Sequence, residues 1–358
     1  MNQKLSLRQV FFLYLLITIS PAIRDIPNAA ARAAHSASWL SPLISLIFLT
    51  GMVFLVNALI KKKDGSFYDL LLEVCGRPLA KLVILLYFIW SFTTAAVSIQ
   101  YYAGRFQSTI MPYTQTGFFV GIMLILVLCA LYAGTKTMGR LSEMVFPIIL
   151  LMLGVLFVLA LPVIRGQHLL PVSSKDFVPV VRASGHTTVI GSYLIAVVFF
   201  MDRMKDKERF CKQGLKNVCY FTVAAILILV VCIGVSGANV TERLPFPFFT
   251  TIKQIAAFGV IERLEPLLIS VWMISDFVMV AIFTGLAFSC LKWLLNAPRI
   301  RVLFVPVLIC LYFYTMLLAN TQFELDRFFR QVMMPVNLIF QYLIPLLLLV
   351  VGKLRKKL

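Results

Sequence analysis

Charge is what this chain has least of. Only 13% of its 358 residues are Asp, Glu, Lys or Arg, about half the share usual in a soluble domain. Acids are the scarcer sign, 15 against 33 bases, and histidine occurs three times, at His35, His168 and His186. No carboxylate pair, nucleophile motif, phosphate loop or zinc spacing accompanies them, which argues against an enzyme and gives no reason to expect a cofactor or a metal. The seven cysteines stand singly, mostly inside apolar runs, with no CxxC and no Cys/His ligand spacing. They read as small buried hydrophobes. Long polar stretches are missing too, so residues 1–358 read as one domain without a soluble module.

What is present is apolar. Hydrophobic residues make up 61% of the chain and the mean hydropathy is +0.94, against about 45–50% apolar in ordinary globular proteins. The apolar residues come in runs long enough to cross a bilayer, which takes about 20 residues each. Ten spans can be drawn, near 8–31, 40–60, 80–108, 116–134, 140–163, 179–202, 217–236, 265–293, 301–319 and 332–352. This predicts an all-α polytopic membrane protein. The first span is interrupted by Arg24-Asp25 and lacks a cleavage site, so it is expected to remain as an anchor rather than act as a signal peptide.

With the N-terminus placed in the cytoplasm, about two thirds of the 33 Lys and Arg fall on the inner side, as the positive-inside rule requires for ten spans with both termini cytoplasmic. The +18 net charge is then a matter of topology, and it suits anionic headgroups of the lipid bilayer. Nucleic acid is an unnecessary partner. Two connections are longer than the rest. Residues 64–79 predict a short helix on the inner surface, with Phe67, Leu70, Leu71 and Val74 on one side. Residues 237–264 predict an outer element that either caps a cavity or packs the loop down.

The first span organises the chain. It begins as ordinary lipid-compatible helix, then meets Thr18, Ser20 and Pro21 near mid-membrane, followed by Arg24, Asp25 and Pro27. Proline has no N–H to give and its ring crowds the carbonyl four residues back. The helix is therefore expected to kink or unwind, freeing peptide groups around Thr18–Ser20 and Ala22–Arg24. Such backbone survives in a membrane only against protein or a water-filled cavity. Secondary transporters use a broken helix of this kind to hold a small polar ligand, in two inverted five-helix repeats. The counterpart is the sixth span, where Gly191-Ser192 follows a run of small and polar residues; it reads either as unwound or as closely packed.

Other spans offer partners. In the third, Ser98 with Tyr101 or Tyr102 can face inward, or the tyrosines can belong to an interfacial belt. In the eighth, Ser275 and Asp276 stand in WMISDFVMVAIF. An ionisable residue inside a span costs about 2.5–3.5 kcal/mol and implies a partner or a cavity. Asp276 is a candidate for a proton- or cation-linked acid, for a ligand ammonium contact, or for an acid bonded to neighbouring hydroxyls. Arg24 can pair with Asp25 or Asp276, receive a ligand carboxylate, or snorkel to the outer interface. The candidate ligand-binding set is Thr18, Ser20, Pro21, Ala22, Arg24, Ser98, Tyr101, Gly191, Ser192, Ser275 and Asp276.

Two blocks carry a resemblance. The opening LSLRQVFFLYLLITISPAIRDIP, followed by WLSPLISLI, resembles the B subunits of bacterial spore-germination nutrient receptors, the endospore germination permeases. The stretch LPFPFFTTIKQIAAFGVIERLEPLLISVWMISDF is similar to that family's external loop and eighth span, notably Glu262-Arg263-Leu264-Glu265 and Trp272. The resemblance implies a fold related to the amino-acid–polyamine–organocation permeases, with broken first and sixth spans. It also implies the inner membrane of the spore, an A subunit and a lipoprotein C subunit as partners, and a small-molecule germinant, commonly an amino acid. Two departures stand out: Ser20-Pro21 where relatives have a Gly-rich break, and Met279 where relatives often have Lys, with Asp276 particular to this chain. The leading functional expectation is a nutrient-sensing subunit that binds its ligand at mid-membrane and triggers germination. The alternative is an ion-coupled amino-acid permease.

Overall fold

At membrane depth no water is available to pair a free N–H or C=O, so a long apolar run folds as a helix that satisfies its own peptide groups. The protein, a computed structural model described over residues 4–61, 65–256, 265–297, 300–355 and 357, follows this rule throughout. Among those residues the only extended pairing is an isolated bridge between Leu5 and Met204. Lys62, Lys63, Arg299 and Lys356 of the count of bases lie outside the described residues, as do Glu262, Arg263 and Leu264 of the second block.

The first half runs α1 (Leu7–Ala34), α2 (Ser41–Lys61), a short α3 (Phe67–Cys75), α4 (Arg77–Thr109), α5 (Thr116–Ala133) and α6 (Thr135–Ala160). The second half opens with α7 (Phe177–Gly191), which continues as a 3-10 helix over Ser192–Arg203, then α8 (Phe210–Ser236). Two short helices follow, α9 (Ala238–Thr241) and α10 (Pro247–Ala256), and then α11 (Glu265–Leu295) and α12 (Phe304–Leu318). The last rod, Gln322–Leu354, strings together α13 (Gln322–Phe328), α14 (Met334–Leu338) and α15 (Ile344–Leu354) through π turns at Phe329–Met333 and Ile339–Leu343.

Nine apolar helical stretches among the described residues are long enough to span a membrane. The first of them, Leu7–Lys61, has 55 residues. Drawn straight it would measure roughly 80 Å, far beyond a hydrocarbon core of about 30 Å. It is in fact α1 and α2, joined through a 3-10 turn over His35–Leu40 that begins at His35, whose φ is 46°. Counted separately these give ten crossings, as the run lengths predict. Predicted limits hold to within about five residues except at two starts: the seventh span begins at Phe210 rather than 217, and the last at Gln322 rather than 332, which draws Asp326 into the bundle.

Burial sorts the spans. In the most apolar window of span six 89% of residues are buried, against 22% for Ile300–Leu318 and for Gln322–Leu354. Span six is therefore central, as is α1, of whose 28 residues 19 are buried, and the last two spans turn most of their surface outward. α1 packs against α6, α7, α8 and α11, while α4 lies along α11. The surface helix predicted in 64–79 is α3: Ser66 caps it, accepting from Asp69 N–H at 3.2 Å, and Phe67, Leu70, Leu71 and Val74 are buried. In the outer segment α10 buries Phe248 and Ile252 and leans Phe249 on Trp272. The described part of that segment packs down onto the bundle.

The sixth span changes from α to 3-10 rungs at Gly191-Ser192. A 3-10 stretch as long as Ser192–Arg203 is unusual, because its hydrogen-bond geometry is poorer than in an α-helix, and it marks a strained or functional segment. Close packing occurs at the same place: a Cβ on Gly191 would lie 2.7 Å from Leu49 and 2.8 Å from Phe221, whereas a Cβ on Gly185 would meet nothing within 4 Å. Gly191→Val is therefore expected to destabilise the fold by about 1–3 kcal/mol, read as a lower thermal midpoint in detergent. Gly185→Val should stay near wild type, and equal midpoints for the two variants would show that the junction has room to spare.

Candidate functional site

Pro21 leaves its helix one donor short, and next to it another helix intrudes. α1 keeps helical geometry through Pro21 and Pro27, so the peptide groups expected to unwind around Ala22–Arg24 stay coiled. The break takes a smaller form. Ser275 Oγ on α11 accepts from Ser20 N–H at 2.9 Å and donates to the Leu16 carbonyl at 2.5 Å. A hydroxyl from a neighbouring span is thus inserted into one i→i−4 rung of α1, a recognised way of bending a helix.

The Ser20 side chain extends the contact. Its Oγ donates to Asp276 Oδ1 at 2.5 Å and accepts from Arg105 Nη1 at 3.2 Å. Arg105 Nη2 completes an ion pair with the other oxygen of Asp276. Ser20, Asp276 and Arg105 are buried, at 0%, 1% and 3% exposure, and the guanidinium carbon of Arg105 lies 5.1 Å from the Trp272 ring centroid. Burying such charges costs several kcal/mol per ion, which is repaid only when geometry is good and the remaining lone pairs are bonded. Here α1, α4 and α11 each contribute to meeting that condition.

One turn further along α1 lies a second charged layer. Arg24 holds Asp25 with both arms, Nε to Oδ1 at 2.8 Å and Nη2 to Oδ2 at 2.7 Å. Its guanidinium stacks 3.6 Å above Tyr101, a desolvated cation–π contact. Tyr101 OH in turn donates to Asp326 at 2.8 Å. Above this layer opens a cavity of about 160 Å³, lined by Arg24, Asp25, Tyr101, His186, Asp326 and Arg330 and closed at the side by Arg243, Leu244 and Pro245. Asn28 and Arg32 of α1 both donate to the Glu242 carbonyl, at 2.7 and 2.9 Å, holding that wall to α1. The gap between α1 and the 3-10 stretch, beside Tyr14 and Ile17, has only about 10 Å³, at the limit for a single water.

The structure therefore brings Ser20, Ser275 and Asp276 together, with Pro21 and Ala22 buried beside them. It places Arg24 and Tyr101 in the layer above. Arg24 takes Asp25, not Asp276, and at 5% exposure it does not snorkel. Thr18 and Ser98 are spent on their own helices, donating to the carbonyls of Leu15 (2.8 Å) and Thr94 (2.7 Å). Gly191 and Ser192 stand apart from the cavity: Tyr14 OH donates to the Gly191 carbonyl at 2.9 Å, and Ser192 Oγ donates to Tyr342 OH at 2.7 Å. They brace the junction in span six. Two residues escaped sequence reasoning. Arg105 gave a signal, an Arg inside the drawn third span, while Asp326 was hidden by placing the start of the last span too late.

Residues 4–324 match the sequence profile of the family described as spore germination protein, a family of spore permeases. The chain belongs to this family. Among its relatives in Bacillus subtilis strain 168, spore germination protein KB is 20% identical over 361 residues, covering 99% of this chain and 96% of its own length. YfkT is 22% identical over 362 residues, covering 98% and 96%. Spore germination protein A2 is 22% identical over 287 residues, covering 76% of each chain. Among solved structures the fold is similar to that of MhsT in complex with L-phenylalanine, with a TM-score of 0.71 at 11% identity over 98% of this chain and 88% of that one. The architecture is thus the helical membrane fold also seen in MhsT, and the family is that of spore germination proteins.

The buried ion pair makes a sharp prediction. Removing one partner, by Asp276→Asn or Arg105→Gln, strands the other and should cost about 3–5 kcal/mol. Removing both, by Arg105→Met with Asp276→Leu, should recover much of that loss. Thermal unfolding of the purified variants decides the matter; a double variant no more stable than the singles would mean that the pair holds the fold in its own right.

Proposed function

We propose that this chain is the nutrient-sensing subunit of a germination receptor, and that a small ligand with a carboxylate, an amino acid first of all, enters the cavity above Arg24. The observation that carries this reading is the floor of the cavity. Arg24 is a buried guanidinium whose present partner, Asp25, is its own chain neighbour, so an incoming carboxylate competes for the same bidentate geometry. Asp25 and Asp326 are both within the lining and suit the ammonium of the same ligand. Tyr101 supplies an aromatic face between them. L-phenylalanine in the similarly folded MhsT is in keeping with a ligand of this class.

Arg24 sits one turn from the rung that Ser275 enters. A ligand that draws Arg24 away from Asp25 pulls on α1 where its own ladder is weakest, and the strain reaches Ser20, Asp276 and Arg105, hence α4 and α11. In this reading the transporter fold reports occupancy instead of completing transport. The basic end of the bundle faces the cytoplasm and the cavity faces outward, in the inner membrane of the spore, with an A subunit and a lipoprotein C subunit to receive the signal.

The competing activity, ion-coupled amino-acid uptake, uses the same fold, and fold alone does not separate the two. Spores separate them. Deletion should abolish or slow germination on one class of nutrient. Arg24→Gln should raise the half-maximal concentration of that nutrient about tenfold or more, the size of a lost hydrogen bond to a charged group. Arg24→Lys should fall between, because an ammonium cannot reproduce the fork. Normal germination on every nutrient, combined with lost uptake of one amino acid, would assign the chain to transport. An unchanged dose–response in Arg24→Gln would remove the cavity floor from ligand recognition.

A further inference from the structure

A second cavity, of about 180 Å³, lies at the basic end of the bundle, among the ends of α5, α6, α11, α12 and the 3-10 stretch of span six. None of its lining residues borders the cavity above Arg24. Its character is split. Apolar walls come from Met138, Phe288 and Phe304, and the rim carries Arg203, Lys292 and Thr135. Arg203 Nη1 donates to Thr135 Oγ1 at 3.1 Å, which fixes the guanidinium at the mouth. Asp202, 3.6 Å from Arg203 Nε, offsets part of that charge. Lys292 is exposed and makes no ion pair among the described residues, so the rim keeps an excess of positive charge.

Two cations above an apolar wall fit an amphiphile with an anionic end. A free inorganic anion would use the rim and leave the aromatic walls bare. The position agrees with a lipid. Tyr132, half exposed at the end of α5, stands edge-on to Phe304 at 5.3 Å, and tyrosine at such a seam marks headgroup depth. Basic pockets between membrane helices are established sites for acidic headgroups.

We propose that this cavity binds the headgroup of an anionic phospholipid. Its phosphate lies between Lys292 and Arg203, and its first carbons rest on Met138, Phe288 and Phe304. A lipid seated there joins the end of span six to α11 and α6. The proposal stands independently of what the opposite cavity binds.

The test is thermal unfolding of the purified full chain in neutral detergent with added phosphatidylglycerol, phosphatidylcholine or sodium phosphate. Phosphatidylglycerol should raise the midpoint by several degrees while the other two leave it in place. Lys292→Gln and Arg203→Gln should each lose half of that rise or more. So should Gly285→Leu, which keeps the charges and fills the cavity from a glycine whose Cβ would meet only Leu131, at 3.9 Å. Lys212→Gln, an exposed base away from the cavity, should keep the full rise. An equal rise in all variants would reduce the effect to diffuse surface charge and overturn the site. A rise with sodium phosphate alone would overturn the lipid in favour of a soluble anion. Should the variants fail to fold, native mass spectrometry of the wild-type chain decides: preferential retention of phosphatidylglycerol supports the site, and equal retention of phosphatidylcholine overturns it.

Discussion

A peptide group at mid-membrane cannot be left without a partner, because no water is there to accept or donate in its place. Around Leu16 and Ser20 the adjoining proline weakens the ladder of α1, and the missing regularity is made good by the hydroxyl of Ser275 from another span. That one insertion sets much of what surrounds it. It fixes α11 against α1, which brings Asp276 to Ser20, and a carboxylate at that depth must have a cation. Arg105 of α4 provides it. Three spans are thereby tied at one point by groups that cannot be separated without exposing a buried charge.

Such a knot suits a protein that changes state. An entirely apolar contact between α1 and α11 would slide through many similar arrangements, whereas a charged and bonded one has a defined closed form. The layer above is built in the same manner, with Arg24, Asp25, Tyr101 and Asp326 linked in sequence, but it borders a cavity. The two layers differ in access: the lower is sealed, the upper can be reached. Under the proposed function, recognition falls to the upper layer and transmission to the lower one on the strength of that difference.

The ten crossings were legible because run length is a local signal, read within about twenty residues. Pro21 and Asp276 were legible for the same reason, as residues at odds with their surroundings. Pairing was not. Arg105 and Asp276 stand 171 positions apart, and nothing in the alternation of residue types says which way α4 and α11 are turned. Hydropathy also failed at the last span, whose first turns, QFELDRF, look too charged for a membrane. Asp326 is accommodated there by Tyr101 and Gln322, and a scale that scores residues singly does not see such partners. The extent of the break in α1 was overdrawn for a related reason, since the filling of its rung by Ser275 depends on the rotation of α11.

In the proposed function α1 carries ligand occupancy from Arg24 down to the rung held by Ser275. A double-mutant cycle on the half-maximal germinant concentration measures it directly, using Arg24→Lys, Ser275→Ala and the two combined in spores. Coupling through α1 predicts a departure from additivity of more than about 0.5 kcal/mol, roughly twofold in concentration. Effects that simply add would show that the two layers act separately, and would contradict the account.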